Sequence, residues 1–91
     1  ILTDVDGLYN KNPKHKNAVL IKQVVNIDKN IDSISGKSSQ LGLGGMQTKI
    51  KAAKIATKSG TTVVIANGRQ NNILVRVLGN EDVGTIFYPK K

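Results

Sequence analysis

A glycine cluster that runs straight into a helical pattern constrains this chain more than any other feature. Gly42-Leu43-Gly44-Gly45 leads into residues 46–59, which predict the chain's best helix. Gly60 stands where a residue of positive φ closes such a helix. Thr61 to Ala66 follows at once as a buried-looking strand rich in β-branched residues.

The rest of the chain alternates in the same way. Ile1 to Thr3 reads as the end of a buried strand, which is an unusual place for a chain to begin and suggests a piece of a larger protein. Asp4-Val5-Asp6-Gly7 is turn chemistry, with carboxylates that cap backbone N–H groups and a glycine free to take positive φ. Lys11 to Asn17 is a polar loop around Pro13, and Ala18 to Val25 a short strand. Residues 26–40 are irregular, with one helical turn near Ile31 and Ile34. Asn67-Gly68 is a turn, Asn72 to Leu78 a short helix, and Gly84 to Tyr88 a last strand. Strands alternating with helices predict an α/β sandwich with a largely parallel sheet, residues 1–91 forming one unit.

The glycine turn is suited to an anion. Glycines let the backbone approach a ligand and aim N–H groups at it, and the first turn of a helix offers unpaired donors with a partial positive charge. At about 100° per residue, Lys51, Lys54 and Lys58 share one polar, solvated face. Lys49 falls on the opposite side, among Met46, Ala52, Ala53 and Ala56. A lysine in the first helical turn also opposes the helix dipole, so a nearby anion would explain it. The competing reading is a stem that snorkels past the core edge to water. Gly36-Lys37-Ser38 resembles the end of a P-loop. That motif requires a second glycine five residues earlier, where Ile31 stands, so a loop is the better reading.

Composition narrows the function classes. The formal net charge is +8, so an anionic partner is expected. Nucleic acid is disfavoured, because the lysines are scattered and only Tyr9, Phe87 and Tyr88 could stack on bases. With no cysteine, disulfides and thiolate metal sites are excluded, which fits a cytosolic origin. His15 lacks a His or Cys partner and reads as a surface residue, so no metal ligand set is expected. No apolar run approaches the roughly 20 residues of a membrane span, and no membrane partner is expected.

Thr3-Asp4-Val5-Asp6-Gly7-Leu8-Tyr9, then Asn12-Pro13, then Ala18 to Ile21, resemble the "TDxxGLY…P…AxLI" segment of the amino acid kinases. Gly44-Gly45-Met46-Gln47-Thr48-Lys49, with Ala52-Ala53 and Gly60, resembles "GGMxTKxxAAxxAxxxG". Ile65-Ala66-Asn67-Gly68-Arg69 and Val83-Gly84-Thr85-Ile86-Phe87 resemble the closing "IANGR…VGTLF". The ordered set covers nearly the whole chain. Thr48-Lys49 after Gly45-Met46 is similar to the glutamate 5-kinase branch, whereas acetylglutamate kinases usually carry proline before that lysine and "DGR" in place of Asn67-Gly68-Arg69.

The resemblance implies an αβα sandwich of which this chain is the C-terminal, nucleotide-binding part, without an appended second domain. It implies transfer of the γ-phosphoryl group of MgATP to the γ-carboxylate of glutamate, in a cytoplasmic homo-oligomer that makes glutamyl 5-phosphate for proline synthesis. Lys49 would be catalytic, holding phosphate oxygens. Leu43, Gly44, Gly45, Met46, Gln47 and Thr48 would shape the ATP cradle, and Thr3 and Asp4 match the family's other ATP-contacting pair. Tyr9 is a candidate for the adenine side or, equally, a core tyrosine with a wet hydroxyl. Leu43 stands where many members have threonine. The family's N-terminal lysine and glutamate-binding residues are expected upstream of Ile1, so this piece alone is expected to be inactive. Acetylglutamate kinase and a non-catalytic nucleotide-sensing module of the same fold are the alternatives.

Overall fold

The computed structural model describes residues 1–11, 14–29, 31 and 45–89. The elements are β1 (Leu2–Thr3), β2 (Gln23–Val24), α1 (Gly45–Lys58), β3 (Val63–Asn67), α2 (Ile73–Leu78) and β4 (Thr85–Phe87). The four strands form one sheet in the order β1-β3-β4-β2. β1 pairs with β3 and β2 with β4 in parallel, while β3 and β4 are antiparallel. The sheet is therefore mixed. The antiparallel pair arises because α2 and the turn after it return the chain beside β3 in the opposite sense. Within 18–25, only residues 23 and 24 form a strand, and Leu20 makes an isolated antiparallel bridge to Tyr9. Asn12, Pro13, Ile34, the Gly36-Lys37-Ser38 segment and residues 41–44 lie outside the described residues.

Alternation along the strands sorts the sheet's two faces. Val63, Ile65, Phe87 and Val24 are buried and pack with Leu8 against Ile50 and Ala53 of α1. Val64 and Ile86 point to the other face, where Val77 and Leu78 of α2 line a groove with them.

The buried seam of α1 is Ile50, Ala53 and Thr57, flanked by half-buried Met46 and Ala56. This rotates the helix from its expected phase. Ala52, placed on the inner side by the periodicity of about 100° per residue, is exposed, and Lys54, placed among the solvated lysines, is half-buried. The reason is Thr57. Its hydroxyl donates to Ala53 O at 2.9 Å, which satisfies the polar atom within the helix and lets the methyl enter the core. Lys51 and Lys58 are exposed as expected.

Gly60, at φ +88°, closes α1. Its N–H bonds Thr57 O at 3.1 Å, and Thr61 N–H bonds Ala56 O at 3.0 Å, the paired bonds of a Schellman motif. The chain then turns back through residues 59–62. Thr57 and Lys58 consequently lie by Tyr88, beyond the sheet end where Val63 pairs with Phe87. α1 thus runs against β3, with its first turn toward the end where β3 finishes.

Candidate functional site

Parallel pairing places two loops side by side. Leu2 is in register with Ala66 and Thr3 with Asn67, so β1 and β3 finish at the same level. Gly68 N–H bonds Thr3 O at 2.8 Å and continues the pairing one residue past the strand. The loop 4–7 and the turn 68–70 therefore leave the sheet together, at the end toward which α1 aims its first turn. Crevices outside the carboxyl ends of strands are where open α/β sheets bind ligands.

Thr3 and Asp4 fall at that end, and the described candidates of α1 lie in or next to the turn directed toward it. Thr3 is half-buried, and its hydroxyl contacts Asp4 Oδ1 at 3.4 Å; Asp4 is exposed. In α1, Gly45, Met46 and Lys49 are half-buried, while Gln47 and Thr48 are exposed. Lys49 occupies the flank of the buried seam, on the side of the helix away from exposed Lys51 and Lys58. No hydrogen bond or ion pair to another described residue engages its ammonium. The first turn of α1 carries no acidic side chain, so its N–H groups, which have no partner within the helix, and its positive dipole end are not neutralised from within the helix. Space around Gly45 is open, since an added Cβ would meet nothing within 4 Å. This donor set fits a phosphate group. Leu43 and Gly44 lie outside the described residues.

Asp6 differs from its expected role. Among the described residues, no backbone N–H bonds its carboxylate. Its Oδ1 accepts from Asn67 Nδ2 at 3.2 Å and from Gln70 Nε2 at 3.0 Å, and its Oδ2 faces the Tyr9 hydroxyl at 3.5 Å. Gln70 Oε1 accepts in turn from Arg76 Nη1 at 2.8 Å, and Arg76 Nε donates to Glu81 at 3.2 Å. Sequence reading misses this network because its members are spread from residue 6 to residue 81. The one local sign of it is the pair of amide side chains, Asn67 as the last residue of β3 and Gln70 in the turn after it.

Tyr9 is half-buried, which leaves both of its readings open. Its phenol is held above the ordinary value of 10.0, chiefly by desolvation and then by the charge and hydrogen bond of Asp6.

Two glycines are required by space. A Cβ on Gly7 would stand 2.6 Å from Thr85 Oγ1, so close approach to β4, more than a left-handed backbone, selects glycine there. Gly84 has φ +73°, and a Cβ would overlap the Ile65 carbonyl oxygen. Among the described residues, no group of three or more His, Cys, Asp or Glu side chains could hold a metal ion, and no helix is long and apolar enough to cross a membrane. A separate groove of about 710 Å³ lies on the Val64 and Ile86 face, bordered by Lys22, Glu81 and Asp82, and contains none of the nucleotide candidates.

Comparison with known proteins agrees with these motifs. A profile described as the amino acid kinase family matches residues 1–67. The chain is 48% identical to a glutamate 5-kinase of Clostridium acetobutylicum over 99% of its own length and 34% of that protein's. It is 53% identical to one of Pelagibacter ubique, over 99% of this chain and 25% of the relative. For one of Carboxydothermus hydrogenoformans the identity is 47%, over 100% of this chain and 25% of the relative. The chain thus spans about a quarter to a third of the curated relatives it matches. By the profile match, and by its likeness to these enzymes along its whole length, the chain belongs to the amino acid kinase family.

Proposed function

We propose that this chain is the C-terminal, ATP-binding part of a kinase that transfers the γ-phosphoryl group of ATP to the γ-carboxylate of L-glutamate, giving L-glutamyl 5-phosphate in the first step of proline biosynthesis. The reading rests on the Thr3-Asp4 loop at the end where β1 and β3 finish in register, toward which α1 directs its first turn with Lys49. Its specificity for glutamate rests on the likeness to glutamate 5-kinases. The surrounding architecture is read as an αβα sandwich, and the full-length enzyme as a cytoplasmic homo-oligomer.

Phosphoryl transfer demands mainly positioning and charge neutralisation. The first-turn N–H groups of residues 45–48 bind phosphate oxygens, and the Lys49 ammonium neutralises charge that grows as the γ-phosphoryl leaves. The half-buried flank position of Lys49 suits this, because side chains on a helix lean toward its N-terminus, where the phosphate would sit. Thr3 and Asp4 approach the nucleotide from the neighbouring strand end. Bound Mg²⁺ would supply further neutralisation of the phosphates, and the exposed Asp4 carboxylate is the oxygen ligand that would face it, since Asp6 is engaged by Asn67 and Gln70.

The test is ADP release by the full-length enzyme with MgATP and either L-glutamate or N-acetyl-L-glutamate. Glutamate-dependent release is expected. Release with N-acetylglutamate alone would move the chain to the acetylglutamate branch, and MgATP binding without turnover of either would make it a sensing module.

A further inference from the structure

We propose that Asp6 is a positioning residue of the nucleotide site. It clamps the loop that carries Thr3 and Asp4 to the turn at 67–70 and, through Gln70 and Arg76, to α2. This role rests on the kinase reading above.

The chemistry of the cluster calls for an acceptor oxygen at position 6, which the Asp6 carboxylate supplies. An ionised Asp offers only acceptors, and its three neighbours, Asn67 Nδ2, Gln70 Nε2 and the Tyr9 hydroxyl, are all donors. The two amides are also committed on their oxygen sides. Asn67 Oδ1 accepts from Arg69 N–H at 2.9 Å, and Gln70 Oε1 accepts from Arg76 Nη1 at 2.8 Å. Each amide can therefore face Asp6 only through its nitrogen, and the orientation of the network is determined throughout.

The bonds to Asp6 are solvent-exposed, so they contribute little to folding. Their consequence is geometric. Asp4 is exposed and, apart from Thr3, no described residue is shown holding its carboxylate. Its loop is fixed by the β1 pairing on one side and by Asp6 and Gly7 on the other. Releasing Asp6 frees the loop next to Asp4 while leaving the core intact. Misplacement of a binding group by about 1 Å costs up to about a hundredfold in rate, so a loosened loop is expected to cost on the order of tenfold in use of MgATP.

The experiment uses the full-length enzyme with Asp6→Ala, Asp6→Asn and Gln70→Ala. Asp6→Ala is expected to raise the KM for MgATP about tenfold while the KM for glutamate changes less than about twofold. Asp6→Asn keeps an oxygen for both amides and can turn its NH2 to the Tyr9 oxygen, so it should recover most of the loss. Gln70→Ala should shift the KM for MgATP in the same direction by a smaller factor. Equal shifts in both KM values, or a lowered melting temperature with both KM values unchanged, would overturn the proposal. If Asp6→Ala does not fold, an unchanged KM for MgATP in Gln70→Ala overturns it instead. Calorimetry separates the two levels of argument. Wild-type protein that does not bind MgATP overturns the kinase reading and this role together. Equal MgATP affinity in wild type and Asp6→Ala overturns this role alone.

Discussion

Thr85 and Leu8 are joined inside the core by a 2.9 Å hydrogen bond from the Leu8 N–H to the Thr85 hydroxyl. The same hydroxyl donates to Ile21 O at 2.6 Å, and Ile21 N–H returns to Leu8 O at 2.7 Å. One fully buried oxygen thus ties β4 to two separate loops. Thr85→Val preserves the shape but orphans a buried donor and a buried acceptor, each worth roughly 1–3 kcal/mol. We expect a loss of about 2 kcal/mol or more in urea unfolding of the full-length protein, and a smaller loss for Thr85→Ser. A valine variant as stable as wild type would contradict this account of the core.

Gly84→Ala should also destabilise. The residue combines a left-handed backbone with direct overlap on the Ile65 carbonyl, so β3 and β4 must separate locally. The backbone term alone is about 1–3 kcal/mol. Thermal unfolding measures it, and an unshifted melting temperature would refute the close approach.

Lys49→Ala should lower kcat far more than it raises the KM for glutamate, because a bond that strengthens in the transition state appears in kcat. By analogy with loss of one oxyanion donor, the cost is about 2.7–4 kcal/mol. Steady-state kinetics with circular dichroism as a folding check decides, and a drop below about fivefold removes Lys49 from the reaction.

The remaining lysines of α1 should divide. Lys51→Ala and Lys58→Ala alter exposed positions and should leave activity and stability within about 0.5 kcal/mol of wild type. Lys54→Ala should cost measurable stability, because its stem lies beside Thr57 and Ile27 at the core edge. Equal melting temperatures for all three variants would restore the phase in which these lysines form one solvated face.

Tyr9 predicts a pH effect on the alkaline side. Its folded value lies above 10.0, so the folded state prefers the protonated phenol. That contribution is complete below about 10 and is lost as pH rises through the folded value. A difference titration of tyrosinate absorbance, wild type minus Tyr9→Phe, should reveal a phenol titrating above 10.0, and Asp6→Asn should lower it by removing the carboxylate charge. A Tyr9 signal indifferent to Asp6→Asn would show that desolvation acts alone.

Local chemistry in the sequence determined the elements whose causes lie within a few residues. The helix closed by Gly60, the strand after it, the Asn67-Gly68 turn and the short helix before Gly79 all follow from turn residues and periodicity. The ordered motifs also carry the family. Three matters were decided by tertiary contact. The antiparallel β3 and β4 pair depends on how α2 returns the chain. The phase of α1 depends on Thr57, whose hydroxyl is satisfied inside the helix, a fact that a hydropathy pattern cannot express. The Asp6 network joins residues 6, 67, 70 and 76 through side chains that meet only because β1 and β3 end in register. Periodicity reports neighbours along the chain, whereas register and burial are set by parts that meet across the sheet.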